Sequence, residues 1–292
     1  MNLRELLSEG RKLLVDGAMG TQLENHGTSM AFPGEANLTA PEVVISIHES
    51  YVNAGCQALT TNTFSMNRLY LGVHGKSEQT LHINEVGASL ARSVAGSSVY
   101  VLGDIGPTGQ MLAPFGPCSE DDFYATFREQ AEILMRAEVD ALLIETMYDL
   151  KEALCALHAC KDAGTIPVFV SIAFKTAQNG GRTIMGNSVA ECSRVLADAG
   201  ADAIGANCGD LSVESMASIV ASFRTASSVP ILVQPNAGIP HLVGGKAVFD
   251  LGPVPFSQGL LQCEHEGARI LGGCCGTTPG HMKKAAGLLF AP

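Results

Sequence analysis

The sequence lacks any apolar stretch long enough to span a membrane without interruption by charged or polar residues, since a spanning helix needs about 20 of them. It also lacks a basic cluster, because its 18 Lys and Arg are scattered and outnumbered by 29 Asp and Glu, for a net charge of -11. These absences argue against a membrane-spanning protein and against nucleic acid or an anionic membrane surface as a partner. With 46% hydrophobic and 16% charged residues, the 292-residue chain has the composition of a folded globular protein.

A secretion signal and a disulfide framework are also missing. Residues 1–14 carry scattered charges and no small-residue cleavage site, unlike a signal peptide. The nine cysteines are an odd number, which without a signal peptide argues for a reducing cytoplasm. Most of them should then be buried as small hydrophobic residues. We expect this of Cys155, Cys160 and Cys192, which lie in helical stretches.

Eight short apolar runs, each ending at a small or polar residue and followed by an amphipathic segment, repeat along the chain. The predicted strands cover residues 13–15, 58–61, 99–103, 141–144, 168–172, 203–206, 231–233 and 269–271. The predicted helices cover residues 41–54, 78–95, 119–137, 150–163, 188–199, 213–222, 255–266 and 279–289. This α/β alternation predicts a (β/α)8 TIM barrel formed by a single domain, residues 1–292. A doubly wound open sheet is the alternative, but its usual glycine-rich nucleotide motifs are absent.

Polar residues that end these strands should meet at one rim, because the strands of such a barrel are parallel. The residues predicted at the rim are Asp16, Asn62, Asp104, Glu145, Asn207, Cys208, Asn236, Cys274 and Cys275. Three cysteines from two strands, with one open position, are typical of a catalytic zinc site. The glycines that flank the adjacent pair would let both thiols turn toward one ion. The alternative interpretation is that the adjacent cysteines are coincidental core residues.

Two acidic residues, Asp16 and Glu145, end the first and fourth predicted strands. A buried pair of acids at a rim can act as general acid and base or can grip a cationic group. The alternative is that each caps the helix that follows it. The turn Gly17-Ala18-Met19-Gly20 offers successive backbone N–H groups, which could bind a carboxylate.

Six segments, in order along almost the whole chain, resemble the motifs of the homocysteine S-methyltransferase family. They are residues 14–21 (LVDGAMGT), 103–109 (GDIGPTG), 144–149 (IETMYD), 205–208 (GANC), 235–238 (PNAG) and 272–279 (GGCCGTTP), of which the last is the most specific. The pattern is most similar to the homocysteine-binding modules of the family's cobalamin-dependent branch, the methionine synthases. It is less similar to the branches that use betaine or S-methylmethionine.

The resemblance implies an enzyme that methylates homocysteine to methionine and holds zinc with Cys208, Cys274 and Cys275. The homocysteine sulfur is then the fourth zinc ligand. A free thiol is only a few per cent ionised at neutral pH, whereas zinc deprotonates it. Because three cysteine thiolates already overcompensate the charge of the ion, the fourth stays electron-rich and can attack a methyl group.

The resemblance also implies how the rest of the substrate is held. Acids matching Asp16 and Glu145 hold its ammonium group, and the backbone of Gly17, Ala18 and Met19 receives its carboxylate. In the cobalamin-dependent branch, an asparagine matching Asn236 can fill the open metal position when substrate is absent.

The methyl donor is expected to come from outside the chain. No D-x-H-x-x-G corrinoid motif occurs, because no histidine has Asp two positions before it. We therefore expect a separate methylcorrinoid protein that carries methylcobalamin, with a small donor (S-methylmethionine or betaine) as the alternative. Two further hypotheses are a zinc Lewis-acid enzyme for hydrolysis or aldol chemistry and a non-enzymatic zinc- or thiol-binding subunit of a larger methyl-transfer complex. The sequence does not indicate an oligomeric state.

Overall fold

A computed structural model describes residues 2–28, 32–244 and 246–291 of the chain. The strands are β1 (Leu13–Leu14), β2 (Ala58–Thr60), β3 (Tyr100–Ile105), β4 (Ala141–Met147), β5 (Val168–Ile172), β6 (Ala203–Asn207), β7 (Ile231–Gln234), β8 (His241–Val243), β9 (Lys246–Val248) and β10 (Ala268–Leu271). The helices are α1 (Leu3–Ser8), α2 (Gly20–Asn25), α3 (Ala36–Thr39), α4 (Pro41–Asn53), α5 (Arg68–Val73), α6 (Thr80–Ala95), α7 (Glu120–Arg136), α8 (Leu150–Ala163), α9 (Val189–Asp198), α10 (Val213–Ala226), α11 (Pro253–Glu266) and α12 (Pro279–Leu289).

Eight parallel strands close into the predicted barrel. Their order around the sheet is β1-β10-β7-β6-β5-β4-β3-β2. The two ends of this sheet meet through a parallel bridge between Val15 and Ala58, where the Asp16 N–H donates to the Ala58 carbonyl over 3.0 Å. The remaining two strands, β8 and β9, form an antiparallel hairpin between β7 and α11. The prediction of a (β/α)8 barrel is confirmed.

The barrel interior and the helix-facing side of the sheet form two apolar layers. Alternate strand residues point inward, and the interior layer contains Leu13, Val15, Ala58, Leu102, Ala141, Leu143, Phe169, Ala203, Leu232 and Ile270. Three leucines of α1 pack into the same layer. This helix lies at the amino ends of the strands, because Arg4 donates to the Asp202 carboxylate just before β6, over 2.6 Å. With that end covered, the opposite end of the barrel carries the opening.

The eight long helices lie where the sequence pattern predicts them, and side-chain capping explains the start of several. Ser119 and Ser188 form capping boxes at α7 and α9, which fix those starts to within a residue of the prediction. The short helices α1, α2, α3 and α5 and the β8–β9 hairpin were not predicted, because elements of three to six residues contain too few apolar repeats to show a period. Within the described part of the chain, no helix combines the length and apolarity needed to cross a membrane.

The three cysteines expected in the core are there. Cys155, Cys160 and Cys192 are buried in the layer between the strands and the helices. Burial is the main cause that raises the pKa of each of these thiols. They are therefore protonated, unreactive packing residues.

His48 in α4 is a buried polar residue that the sequence pattern did not single out. It is fully buried, and neither ring nitrogen has a hydrogen-bond partner among the described residues. Burial disfavours the charged ring and lowers the pKa of His48 from 6.5 to about 4. The unfolded chain thus takes up this proton at a higher pH than the folded chain. The contribution of neutral His48 to stability is complete above pH 6.5 and is lost as the pH falls toward 4.

Replacing His48 with Leu should therefore reduce the acid sensitivity of the fold. From about pH 7 to about pH 4, the wild type should lose about 3 kcal/mol more of its free energy of unfolding than His48→Leu. Urea denaturation at several pH values measures this difference. His158→Leu, at an exposed position on α8, is the matched control and should follow the wild type. Equal pH dependence of the wild type and His48→Leu would contradict this account.

Candidate active site

The carboxyl ends of the strands open into a cavity of about 530 Å³. Of the residues predicted at the rim, it is lined by Asn62, Asp104, Glu145, Cys208, Cys274 and Cys275, whereas Asp16, Asn207 and Asn236 are buried outside its lining. No Lys or Arg is among its described lining residues. A separate cavity of about 570 Å³, beside Ser227 and Arg269 near the amino ends of β7 and β10, has no cysteine or acidic residue among those that line it. The chemistry-bearing groups therefore gather in the first cavity.

Three thiols meet on one side of this cavity. Cys208 follows β6, and Cys274 and Cys275 follow β10, and both strands pair with β7. The strand β7 holds both loops, since the Cys208 N–H donates to the Gln234 carbonyl over 3.1 Å. The Cys274 N–H likewise donates to the Pro235 carbonyl over 2.9 Å. As a result, the three Sγ atoms all lie within 4.8 Å of one another, and those of Cys274 and Cys275 are 4.0 Å apart.

This spacing fits a thiophilic metal ion. Zn–S bonds of about 2.3 Å in a tetrahedron place sulfur atoms about 3.8 Å apart, close to the separation of Cys274 and Cys275. The candidate metal-binding group consists of the three thiols alone among the described residues. An ion held by three protein ligands keeps a fourth position open, as in catalytic rather than structural sites.

Unusual backbone conformations let the adjacent cysteines face one point. Gly276 has φ of +79°, a region that L-residues rarely adopt. A Cβ at Gly273 would lie 2.6 Å from the Thr277 hydroxyl oxygen, so only glycine fits there. Cys208 itself has φ of +51°, which is uncommon for a residue with a side chain. Gly276 therefore has the unusual backbone angle that the sequence suggested, whereas Gly273 allows the close approach of Thr277.

Hydrogen bonds among the thiols concentrate negative charge on Cys208. Bonds from Cys274 and Cys275 are the first causes that lower the pKa of Cys208 well below its ordinary value, and a bond from Asn236 adds to them. The same contacts with Cys208 raise the pKa of Cys274 and of Cys275. These hydrogen bonds therefore favour the thiolate form of Cys208 and the protonated forms of Cys274 and Cys275, and a divalent cation bound by the three would displace the remaining protons.

Two carboxylates, those of Asp104 and Glu145, line the cavity at the ends of β3 and β4. Burial is the first cause that raises the pKa of both Asp104 and Glu145. The charge of Glu145 further raises the pKa of Asp104, and that of Cys208 further raises the pKa of Glu145. Asp104 Oδ1 is buried and has no hydrogen-bond partner among the described residues. A cationic ligand with N–H donors would stabilise the charged forms of both acids and would give Asp104 Oδ1 a hydrogen-bond partner.

Asp16, the third acid, is buried outside the cavity lining. Its two carboxylate oxygens accept hydrogen bonds from the Thr60 N–H over 3.0 Å and from the Thr60 hydroxyl over 2.8 Å. Burial nevertheless raises the pKa of Asp16 to about 7. Thr60 is among the residues that line the cavity, whereas Asp16 is not. The contact of Asp16 with Thr60 is a feature that the sequence did not predict.

The turn predicted to bind a carboxylate is tied to the cysteine loop. The Ala18 N–H donates to the Thr277 hydroxyl over 3.0 Å, and that hydroxyl donates to the Cys274 carbonyl over 2.7 Å. The Tyr51 hydroxyl on α4 donates to the Ala18 carbonyl over 2.8 Å. A Cβ at Gly17 would lie 2.5 Å from the Thr277 hydroxyl oxygen, which explains the glycine. Of the N–H groups of Gly17, Ala18 and Met19, that of Ala18 is therefore already in use.

Two buried amides complete the surroundings of the thiols. Asn236 donates from Nδ2 to the Gly209 carbonyl over 3.1 Å, and its Oδ1 has no partner among the described residues. The Gln234 side chain lines the cavity, and its Oε1 is likewise buried without a partner in the described part of the chain. Both are acceptors that a metal ion or a hydrogen-bond donor would satisfy.

A β-bulge aims Glu145 into the cavity. Ile144 pairs with Val170 and Met147 with Ile172, so Glu145 and Thr146 together face a single residue of β5. Both residues then line the cavity, whereas an unbroken strand would turn the second one away. Thr146 has φ of +58°, and a β-branched residue in that conformation costs about 1–3 kcal/mol.

Sequence reasoning placed Asp104 and Asn207 at the rim but gave neither a role in the site. It missed Thr60 and Gln234 entirely. Asp104 carried a usable signal, since it ends a strand as Asp16 does. Thr60 and Gln234 carried none, because their neighbours in space are distant in sequence.

Comparisons with known proteins identify the relatives of this chain. The sequence model of a family described as homocysteine S-methyltransferase matches residues 13–289. Curated methionine synthases of Mycobacterium tuberculosis and Mycobacterium leprae are each 32% identical over 304 aligned positions that cover 98% of this chain. The chain spans about a quarter of the length of these relatives, since the match covers 25% of each.

Solved structures show the same fold. The metallated form of the homocysteine methyltransferase MmuM from Escherichia coli superposes with a TM-score of 0.82 at 24% identity and covers 98% of this chain and 99% of that one. Its apo form superposes with a TM-score of 0.74. At this level of identity the likeness establishes the barrel architecture.

The three thiols should bind one thiophilic divalent ion per chain. We expect titration of the reduced, metal-free protein with Cd²⁺ to produce thiolate-to-metal absorbance that saturates near one equivalent. Replacing Cys208, Cys274 or Cys275 with Ala should abolish most of this signal. Cys192→Ala, which removes a buried thiol that is not part of the cavity lining, is the matched control and should leave it unchanged. Undiminished Cd²⁺ absorbance in Cys274→Ala would show that the thiols do not form a metal site.

Proposed function

The chain belongs to the homocysteine S-methyltransferase family, and from this premise we propose that it transfers a methyl group to the sulfur of homocysteine to form methionine. The observation that carries the proposal is the pairing of groups in one cavity. Three thiols with room for a metal lie at the ends of β6 and β10. Two acids, buried Asp104 and half-buried Glu145, lie at the ends of β3 and β4, and no Lys or Arg is among the described lining residues. A ligand with both a thiol and an ammonium group matches these two sets of groups.

We propose that Cys208, Cys274 and Cys275 hold Zn²⁺. The chemistry that bound Zn²⁺ supplies is deprotonation of a coordinated thiol near neutral pH. Asn236 supports a site with an exchangeable position, because its unpartnered Oδ1 lies on a residue that hydrogen-bonds Cys208. We propose that this oxygen fills the open position until a thiol replaces it.

The remaining residues position the amino acid part of homocysteine. We propose that Glu145 and Asp16, together with Asp104, hold its ammonium group. Asp104 has an unpartnered buried oxygen, whereas Asp16 would have to share its oxygens with Thr60. The carboxylate is received by the turn at Gly17, Ala18 and Met19, mainly through the first and third N–H groups because Thr277 occupies the second.

In the transfer step, the sulfur lone pair forms the new bond to the methyl carbon. The bond between that carbon and the donor breaks, and its electron pair leaves with the donor. Clamping the substrate at both ends holds the sulfur in line with the incoming methyl group, and such positioning can be worth several kcal/mol. No side-chain base at the sulfur is needed.

We propose that a separate methylcorrinoid protein delivers the methyl group. Exposed apolar side chains on the loops after β3, β5 and β7 support a macromolecular partner: Met111, Phe115, Ile184, Met185, Ile239, Leu242 and Val243. These loops surround the barrel end that carries the cavity. Phe115 is 76% exposed and Leu242 78% exposed, and contact with a partner would cover them.

We place the reaction in the cytoplasm, where nine free cysteines would stay reduced. We also propose that residues 1–292 act as one domain.

A small donor is the second candidate. The cavity of about 530 Å³ is larger than homocysteine requires, since pockets of about 300–1,000 Å³ hold drug-sized ligands. Its lining includes Phe64, Tyr70 and Tyr148. Aromatic rings attract methylated cations through cation–π interactions, so betaine or S-methylmethionine fits this part of the cavity.

Removing a carboxylate from the cavity should weaken homocysteine binding without loss of metal. We expect Glu145→Gln and Asp104→Asn each to raise the Kd of the zinc-loaded protein about ten- to hundredfold, the effect of losing a charge-assisted hydrogen bond. Asp16→Asn should also weaken binding, because it removes a negative charge and disturbs the hydrogen bonds that Asp16 accepts from Thr60. Calorimetry gives the Kd, and metal analysis confirms one zinc per chain.

Glu120→Gln removes the same charge at an exposed position of α7 and serves as the matched control. A thiol of equal length without an amino group should bind wild type and Glu145→Gln equally weakly. Unchanged homocysteine affinity in both cavity variants would remove the acids from the proposed site.

The donor can be identified by turnover. We expect slow methionine formation from free methylcobalamin and much faster formation with a separate methylcorrinoid protein. Phe115→Ser and Leu242→Ser, at exposed apolar positions of the rim, should slow only the second reaction. Rapid turnover with betaine or S-methylmethionine, and none with any methylcorrinoid, would establish the small-donor candidate instead.

A further inference from the structure

The bulge in β4 requires an explanation, because it holds a β-branched residue in a left-handed conformation. Thr146 has φ of +58° between Glu145 and Met147. The turn brings Glu145 and Thr146 into the cavity lining and returns Met147 to the buried layer behind the sheet. If Thr146 relaxed to an extended conformation, the register that aims Glu145 would be lost. Some neighbouring group must therefore stabilise the bulge.

Asn207, at the end of β6, supplies that stabilisation from two strands away. Its Oδ1 accepts the Thr146 N–H over 3.0 Å, and its Nδ2 donates to the Thr146 hydroxyl oxygen over 2.7 Å. Ser171, the single β5 residue facing the bulge, donates its hydroxyl to the same Oδ1 over 2.6 Å. The amide is fully buried, so its orientation is fixed by these bonds.

The same amide also reaches the thiol group. Asn207 Nδ2 lies 3.7 Å from Cys274 Sγ, within hydrogen-bonding distance for sulfur. Asn207 directly precedes Cys208 in the chain. One side chain thus contacts the bulge that aims Glu145 and a sulfur of the metal-binding group.

We propose that Asn207 is a positioning residue that clamps Thr146 in its left-handed conformation and thereby sets Glu145 relative to the thiols. The inference rests on the proposed function in one respect, since it takes the ligand ammonium as the partner of Glu145. Asn207 does not line the cavity, so it acts through Thr146 and Cys274 rather than on the substrate.

A double-variant cycle tests the clamp, because glycine adopts a positive φ without assistance. Asn207→Ala should weaken homocysteine binding to the zinc-loaded protein at least tenfold, whereas Thr146→Gly should stay within about threefold of wild type. In the double variant, affinity should return to that of Thr146→Gly. A residue with only a general structural role would not be rescued in this way. Double-variant binding as weak as that of Asn207→Ala, or unchanged binding in Asn207→Ala, would overturn the proposal.

Thermal unfolding without ligand separates this inference from the proposed function. Thr146→Gly should raise the Tm of the Asn207→Ala protein more than that of the wild type. This coupling is expected even if the wild type binds no homocysteine, an outcome that would refute the proposed function alone. Absence of coupling in Tm would refute the clamp.

Two further variants keep the test decisive if Asn207→Ala does not fold. Thr146→Val retains the β-branched side chain at a positive φ but removes the hydroxyl that accepts from Asn207. It should weaken homocysteine binding more than Thr146→Gly does, although it is the smaller change in volume. Ser171→Ala removes the third contact of the amide but leaves both of its hydrogen bonds to Thr146, so it should weaken binding less than Thr146→Val does. Equal affinities for Thr146→Val and Thr146→Gly would contradict the inference.

Discussion

Repulsion among negative groups gathered at one end of the barrel is the constraint on which the rest of the site depends. Three thiols and three acids lie there, and the described lining of the cavity contains no Lys or Arg. Burial raises the pKa of each acid, and hydrogen bonds with the other two thiols lower the pKa of Cys208. Such a site is stable in isolation only in a partly protonated state. It is complementary to positive charge supplied from outside the chain.

The order of strands separates this charge into two arcs. Sulfur atoms come from β6 and β10, on either side of β7, whereas Asp104 and Glu145 come from the ends of β3 and β4 across the barrel. The sulfur arc suits a thiophilic metal, and the carboxylate arc suits an ammonium group. Because the interior below is filled by leucines, alanines and Phe169, neither arc can move inward to relieve the repulsion.

Most of the fold and the identity of the charged groups could be predicted from the sequence, because both follow from local patterns. Apolar periodicity gave the strands and long helices, and the residue types at strand ends gave the thiols and the acids. What connects these groups could not be predicted. The hydrogen bonds between Thr60 and Asp16 and between Asn207 and Thr146 join residues 44 and 61 positions apart. A bulge adds one residue to a strand without any change in its apolar pattern.

Asn207 connects the two arcs, so on the proposed function ligand binding at the thiols depends on ligand binding at the acids. On the proposed function, homocysteine must place its sulfur at the open metal position and its ammonium group against the acids at the same time. A ligand of fixed length can satisfy both only if the distance between β4 and β10 is fixed as well. The two strands are not neighbours in the sheet, and their separation is held by Asn207, which contacts Thr146 on one and Cys274 after the other. On that function, selectivity for an amino acid thiol would be a property of the whole ring of strand ends, since either arc alone would accept any thiol or any amine.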